Sequence, residues 1–435
     1  MHPTRRGRML RGMLGVLRRN PRYRLLWAAQ AISMTGDWLN RVAILALLSS
    51  LGGVEEAGRV GLLFGVELFV RMMPTVFLGG LAGAVADRLS RRALMIGSDL
   101  IRAGVVLGYL LVDEPSEIPL LYLLLILQMG LGIFFQAARS AAIPATVDPA
   151  DLGRAYELAA VTWSVILCVG ALLGGLLAEV IGINGVFLCD AATYLVSASL
   201  LARLHLPAHE KAAEPFRWKE VLLFQDLARG VRHARERGVV WAILAKTFWG
   251  PAGGYLVLLP ILASRHVEVE GDAAALAWYT SLYYAARGIG TGLGPVLVRR
   301  IWGTSDRTYR TQIAGGFGVA AVAYAILPSL PGLAGSLACV VVAHMGGSAI
   351  WVGSTTLWQT HVRESYRGRI FSAEFAGMTA SFALAGLLAG LAYDRIGEWQ
   401  LVIYAISASV LLAALCWMFG GRHEFRATLR SSESE

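Results

Sequence analysis

The chain has 435 residues, of which 56% are apolar and only 16% charged, with a mean hydropathy of +0.57; this excludes an assembly of ordinary soluble domains. Its 39 basic residues against 30 acidic ones give a formal charge of +9, so the placement of the charges has to decide between nucleic acid and membrane as the partner. Cys168, Cys189, Cys339 and Cys416 all lie inside apolar runs without Cys-x-x-Cys spacing, which supports neither a disulfide framework nor a zinc site.

Residues 1–23 form a basic segment. The small-residue triplet Ala29-Gln30-Ala31 lies at the start of the following apolar stretch rather than after it, so the stretch reads as an uncleaved span and not as a leader. A helix needs roughly 20 apolar residues to cross about 30 Å of hydrocarbon, and twelve such runs follow. Six occupy 24–205: 24–50, 58–83, 93–112, 118–138, 157–181 and 183–205. Six more occupy 239–420: 239–263, 274–298, 311–329, 333–357, 370–393 and 398–420. Between them lies a linker, 206–238, and after them a tail, 421–435. In the linker Val221, Phe224, Leu227, Ala228 and Val231 share one helical face, while Arg229, Arg232, Arg235 and Arg237 fall on the polar side. That pattern predicts an amphipathic helix on the inner membrane surface, read as a tether.

With the N-terminus inside, 31 of the basic residues fall on inner segments, two (Arg265 and Arg395) on outer ones, and six (Arg41, Arg59, Arg71, Arg102, Lys246 and Arg287) within the runs. Positive charge stays on the cytoplasmic side, so both termini are expected in the cytoplasm. The excess charge then belongs to topology and to anionic lipid, and no nucleic-acid partner is expected.

Shifting the sequence by 215 places Val147-Asp-Pro-Ala-Asp-Leu-Gly-Arg154 on Val362-Arg-Glu-Ser-Tyr-Arg-Gly-Arg369, and the stretch 170–182 on 385–397. A shift of 214 places 27–37 on 241–251. The chain therefore reads as an all-α membrane protein, with twelve transmembrane helices in two pseudo-symmetric six-helix bundles and no room for a sizeable soluble domain.

Several stretches now carry a resemblance. Gly79-Gly-Leu-Ala-Gly-Ala-Val-Ala-Asp-Arg-Leu-Ser-Arg-Arg92 resembles the Gly-x-x-x-Asp-Arg-x-x-Arg-Arg loop signature of the major facilitator superfamily. The stretches 33–43, 98–103, 138–158, 285–295 and 366–372 are similar to its drug:proton antiporter and siderophore-exporter branch. Two departures stand out: Gly170 is followed by Ala171 where many exporters have proline, and Val298 stands opposite Asp87 in the second-half copy of the loop. The resemblance implies secondary active transport, here proton-coupled export of small amphipathic molecules by alternating access. A lysophospholipid flippase and a metabolite uptake carrier are the alternatives. It also implies a bacterial-type plasma (inner) membrane, with a small-molecule substrate, protons and the lipid bilayer as partners and a monomeric state. No Gly-x-x-x-x-Gly-Lys-[Ser/Thr] loop, His-Glu-x-x-His or Gly-x-Ser-x-Gly motif occurs, so neither ATP, a cofactor, a metal nor an enzymatic role is expected, and a channel is disfavoured.

Ionisable residues inside a bilayer are costly and point to function. Asp37, near the middle of the first run and opposite Pro251 in the repeat, is the leading proton-coupling candidate, with Arg41 one turn away as a possible salt-bridge partner. Glu67 and Arg71 repeat that spacing in the second run, Glu67 being the other coupling candidate. Lys246 and Arg287 have no acid nearby in sequence and are candidates for an anionic or zwitterionic substrate, or else for pairing with acids of the first half. Asp190 and His344 read as hydrogen-bonded packing residues. In the loop signature, Gly83, Asp87, Arg88, Arg91 and Arg92, joined by Asp99 and Arg102, read as a cytoplasmic gate; the resemblance adds Arg369 as ionic partner. The pairs Gly79/Gly83, Gly170/Gly174, Gly290/Gly294 and Gly386/Gly390 are read as helix-packing contacts.

Overall fold

The computed structural model describes residues 15–52, 59–207, 232–269, 271–302 and 305–424. The described residues of the twelve apolar runs fall almost wholly on helix, and no strand occurs among the described residues. This follows from the solvent: in hydrocarbon an isolated segment must satisfy its own backbone N–H and C=O groups. The helices are α1 (Pro21–Gly52), α2 (Val60–Ala86), α3 (Arg91–Leu107), α4 (Ile118–Ala142), α5 (Leu152–Ala202), α6 (Val240–Phe248), α7 (Gly253–Ser264), α8 (Ala273–Trp302), α9 (Asp306–Ile326), α10 (Gly332–His361), α11 (Glu364–Ile396) and α12 (Trp399–Gly420). Nine helical stretches among the described residues are long and apolar enough to cross a bilayer, and one of them, Pro149–Ala202, holds two of the runs. Most of the linker helix expected over 206–238 lies outside the described residues, as does the Arg369 side chain.

The repeat reappears as local geometry. Within α5, Gly182 breaks the helix with a φ of 73°, a conformation that glycine adopts without steric cost. Its partner at a shift of 215, Gly397, has a φ of 74° and closes α11 with its N–H on the Tyr393 carbonyl. The same shift relates Ser90 to Ser305, whose hydroxyls accept from the N–H groups of Ala93 and Thr308 and cap α3 and α9. This register moves Trp302, rather than Val298, opposite Asp87; the second copy lacks the acid either way.

The chain divides into two compact units, Met1–Ile44 with Phe77–Leu222 and Leu45–Val76 with Leu223–Glu435. In the first, α3 packs on α4 and α5, and Tyr23, Leu26, Phe135, Leu158 and Leu201 belong to one buried cluster. Gly170 and Gly174 let α5 approach α1: a Cβ added there would lie 3.0 Å from the Trp38 Cβ and 3.1 Å from the Leu39 Cα. In the second unit α10 packs on α8 and α9, and α11 on α7. Gly290 and Gly294 face the α10 backbone, and Gly386 and Gly390 face Leu68, Gly61 and Gly65 of α2. Lipid tails give apolar faces no reason to associate, so such backbone contacts supply dispersion that larger side chains would block. Gly79 and Gly83 depart from the expectation. A Cβ at either would meet nothing within 4 Å, so the packing role read for that pair is corrected.

Candidate functional site

The first unit gathers four of its intramembrane charged residues, Asp37, Asp99, Arg102 and Asp190, at one place. On α3, Asp99 and Arg102 are three residues apart on the buried face that also carries Met95, Ser98 and Val106. On the second limb of α5, Asp190, Tyr194 and Ser197 follow the i, i+4, i+7 spacing that puts them on one face, and all three are fully buried. Asp37 of α1 meets both helices. Its Oδ1 accepts from Arg102 Nη2 at 2.5 Å and from the Tyr194 hydroxyl at 2.5 Å. The Arg102 guanidinium also lies 4.2 Å from the centre of the Tyr194 ring, and its Nη1 reaches Asp99 Oδ1 at 3.4 Å. The Ser197 hydroxyl donates to Asp99 Oδ2 at 2.6 Å.

A hydrogen-bonded chain continues from Asp37 into the bundle. Gln128 of α4 donates through Nε2 to the Tyr194 oxygen at 3.0 Å, and the Tyr109 hydroxyl donates to Gln128 Oε1 at 2.8 Å. The Tyr194 proton is thereby committed to Asp37, which keeps that carboxylate oriented. Exposure separates the members: the Asp37 side chain is 29% accessible and Arg102 only 4%. Asp37 is therefore the member of the cluster that water or a ligand reaches.

These contacts extend the sequence reading in two respects. Asp37 pairs with Arg102, sixty-five residues away; the Arg41 guanidinium lies 5.8 Å from the Trp38 ring. Asp99 and Arg102, grouped above with the cytoplasmic gate, belong to the Asp37 cluster. The rest of the loop signature is anchored elsewhere. Arg88 donates to Ala84 O at 3.0 Å, Arg91 to Ala141 O at 2.8 Å, and Arg92 to Leu201 O at 3.1 Å and to Ala202 O. Arg91 and Arg92 thus serve the carbonyl-rich C-termini of α4 and α5, where a cation is favoured. Asp87 is exposed in the turn after α2.

The second unit holds a different arrangement. Lys246 of α6 donates to Glu374 Oε2 at 2.8 Å and to the Thr355 hydroxyl at 2.6 Å, and its ammonium lies 4.2 Å from the Trp351 ring centre. Glu374 Oε1 accepts from the Trp358 indole at 3.0 Å. Both charged side chains are 2% exposed or less. Lys246 is therefore not a cation lacking a local acid, nor one paired with the first half: its partner is an acid of the same unit, on α11. Glu374 was missed, although an acid five residues into the run 370–393 was visible as a signal. Glu67 and Arg71 form the expected i, i+4 pair at 2.5 Å. Arg287 lies 5.9 Å from the Tyr284 ring. His344 shares a hydrogen bond of 3.0 Å with the Tyr324 hydroxyl, as a packing histidine should; Tyr324 stacks on Tyr255 at 3.6 Å.

Comparison with known proteins places this geometry. The family described as Major Facilitator Superfamily matches residues 26–373. The chain belongs to the Major Facilitator Superfamily. This superfamily member is 25% identical over 393 residues to the multidrug resistance protein MdtH of Yersinia pestis (strain Pestoides F), covering 88% of this chain and 92% of that one. It is also 24% identical over 232 residues to the uncharacterized MFS-type transporter YkuC of Bacillus subtilis (strain 168), a match spanning about half of each protein, 52% and 53%. In fold it is similar to a bacterial homolog of the human lysosomal transporter Spinster in an inward-facing, occupied conformation, with a TM-score of 0.71 and 16% identity over 93% of this chain and 97% of that one. The POT family transporter PepTSo gives a TM-score of 0.71 at 11% identity, over 93% and 98%. As a superfamily member the chain is a multi-pass membrane protein of a transporter family, which implies a small-molecule substrate; superfamily membership does not describe an enzyme.

Proposed function

We propose that this protein is a proton-coupled exporter of small amphipathic molecules, working by alternating access in a bacterial-type inner membrane. The observation that carries the reading is Asp37: a partly accessible carboxylate within a membrane helix, oriented by Arg102 and Tyr194. A carboxylate in that position accepts a proton from one side and returns it to the other when access changes. Protonating Asp37 releases Arg102 from one of its two carboxylates, so proton occupancy and helix packing are linked through a single guanidinium. The likeness to MdtH, named for multidrug resistance, supports export of amphipathic compounds. The distribution of basic residues supports twelve crossings with both termini cytoplasmic, and the repeat supports two six-helix bundles acting as a monomer. The exposed Asp87 fits a cytoplasmic gate within that cycle, with Gly83, Arg88, Arg91, Arg92 and Arg369 as the other members of the loop.

The test is ethidium efflux from proteoliposomes under an imposed pH gradient, comparing the wild type with Asp37→Asn. The reading expects efflux that accelerates with the gradient in the wild type and is indifferent to it in the variant. Unchanged gradient dependence in Asp37→Asn removes Asp37 from the coupling.

A further inference from the structure

Asp190 is the group that the transport cycle described above leaves unexplained. It is 0% exposed, lies on the second limb of α5 inside a membrane span, and has one carboxylate oxygen, Oδ2, without a hydrogen-bond partner among the described residues. Its other oxygen receives only a long contact of 3.4 Å from the Thr193 hydroxyl, which is spent at 2.7 Å on the Asp190 carbonyl. Facing it on α1 is Asn40, also 0% exposed, whose amide lies against the Asp190 carboxyl and has no other partner among the described residues. One turn earlier, Gly36 allows the approach: a Cβ there would collide with Asp190 Oδ1 and Thr193 Oγ1.

The charges around this carboxyl do not neutralise it. Asp37 faces it from α1 and Arg102 from α3, and Asn40 and Thr193 are the neutral polar groups within its reach. Arg102 already bonds Asp37 and Asp99, so one guanidinium stands against three carboxyl groups. An ionised Asp190 would be a fully buried anion beside another, Asp37, with the Asn40 amide and a long Thr193 contact as its donors. A protonated one is neutral, and the Asn40 amide against it carries an acceptor as well as a donor. Asp37 lies next in sequence to Gly36 and opens to the accessible side, so the two acids occupy an inner and an outer position of one cluster.

We propose that Asp190 is a second proton-binding residue of the transporter, holding a proton in the resting state, and that Asp37 connects it to the accessible side. The inference rests on the proton-coupled reading and deepens it, by naming the residue on which the proton resides. In the transfer the O–H bond of Asp190 breaks and one forms on Asp37, leaving Asp190 ionised and Arg102 with one carboxylate partner fewer.

Infrared difference spectroscopy of the purified full-length protein tests this without a substrate or a gradient. The wild type at neutral pH should show the carbonyl stretch of a protonated carboxyl. That band should be absent in Asp190→Asn and present in Asp99→Asn and Asp37→Asn, with its downshift in heavy water slowed about tenfold or more in Asp37→Asn. Should Asp190→Asn fail to fold, two further variants decide the matter. Asn40→Ala should move the band, and Tyr194→Phe, which strips a donor from Asp37, should leave it in place. A band that survives in Asp190→Asn, disappears in Asp37→Asn, or responds to Tyr194→Phe and not to Asn40→Ala overturns the proposal, and unaltered exchange in Asp37→Asn overturns the connecting role. Because the readout is the carboxyl itself, a band assigned to Asp190 alongside gradient-independent efflux defeats only the coupling reading. A band assigned to Asp37 defeats only this inference.

Discussion

The two units solve the same problem, charge inside a membrane, in opposite ways. In the second, one ammonium meets one carboxylate, every polar atom of the pair has a partner, and water is excluded: Lys246, Glu374, Thr355 and Trp358 form a closed set. In the first, one guanidinium serves Asp37 and Asp99 with Asp190 beside them, and Asp37 remains accessible. A balanced, closed pair has no reason to exchange a proton. An acid-rich, open cluster does, because like charges held close together in a medium of low effective dielectric constant repel by a few kcal/mol. The local geometry that Gly182 and Gly397 share is therefore not matched by a shared placement of charge. At a shift of 215, Asp190 falls on Ala405 and Glu374 on Ala159.

The largest effect should come from Arg102→Met, which strands the buried carboxyl groups; breaking a buried ion pair costs roughly 3–5 kcal/mol. A thermal melt of the detergent-solubilised variant should fall sharply at neutral pH and recover in part at acid pH, where protonation relieves carboxylates that have lost their cation. Lys246→Met strands only Glu374 and should cost about 3 kcal/mol, but Lys246→Met with Glu374→Gln should return to within about 1 kcal/mol of the wild type. If the double variant stays as unstable as the single one, the closed-pair description is wrong. Gly36→Ala, by crowding Asp190 and Thr193, should cost about 1–3 kcal/mol, and the loss should shrink but persist in Gly36→Ala with Asp190→Ala, where the Thr193 hydroxyl still meets the added Cβ.

The smallest effect is a control outside both clusters. Glu424, beyond the end of α12, accepts from the N–H groups of Val240 and Trp241 at 3.2 and 3.3 Å and stands 3.9 Å from Arg310. Burial pushes its carboxyl above the ordinary glutamate range, against the opposing pull of those donors. The folded form then holds the proton more tightly than the unfolded chain. Its contribution to stability is full below the unfolded glutamate value and is lost as pH rises through the folded one. Glu424→Gln should flatten that part of the melting temperature against pH and leave the acid recovery of Arg102→Met untouched.

Much of this was legible in the sequence, and the missing part has a common cause. Apolar runs and the break at Gly182 are local signals, and both reappear in the structure, as helices and as the interruption of one. The Glu67–Arg71 pair, at i, i+4, is local too. Asp37–Arg102, Lys246–Glu374 and the placement of Asp190 against Gly36 are not: they depend on which helix faces which, and periodicity along a uniformly apolar helix says little about that. Arg102 was therefore grouped with the nearby loop, and Asp190 was read as satisfied because nothing in its own segment showed the orphaned oxygen.

The central claim is that proton coupling resides in the open cluster and not in the closed pair. Ethidium efflux from proteoliposomes, measured with and without a pH gradient, tests it most directly in two variants side by side. The account predicts that Asp37→Asn loses the gradient dependence while Lys246→Met with Glu374→Gln keeps it. Gradient dependence kept by Asp37→Asn and lost by the double variant would contradict it.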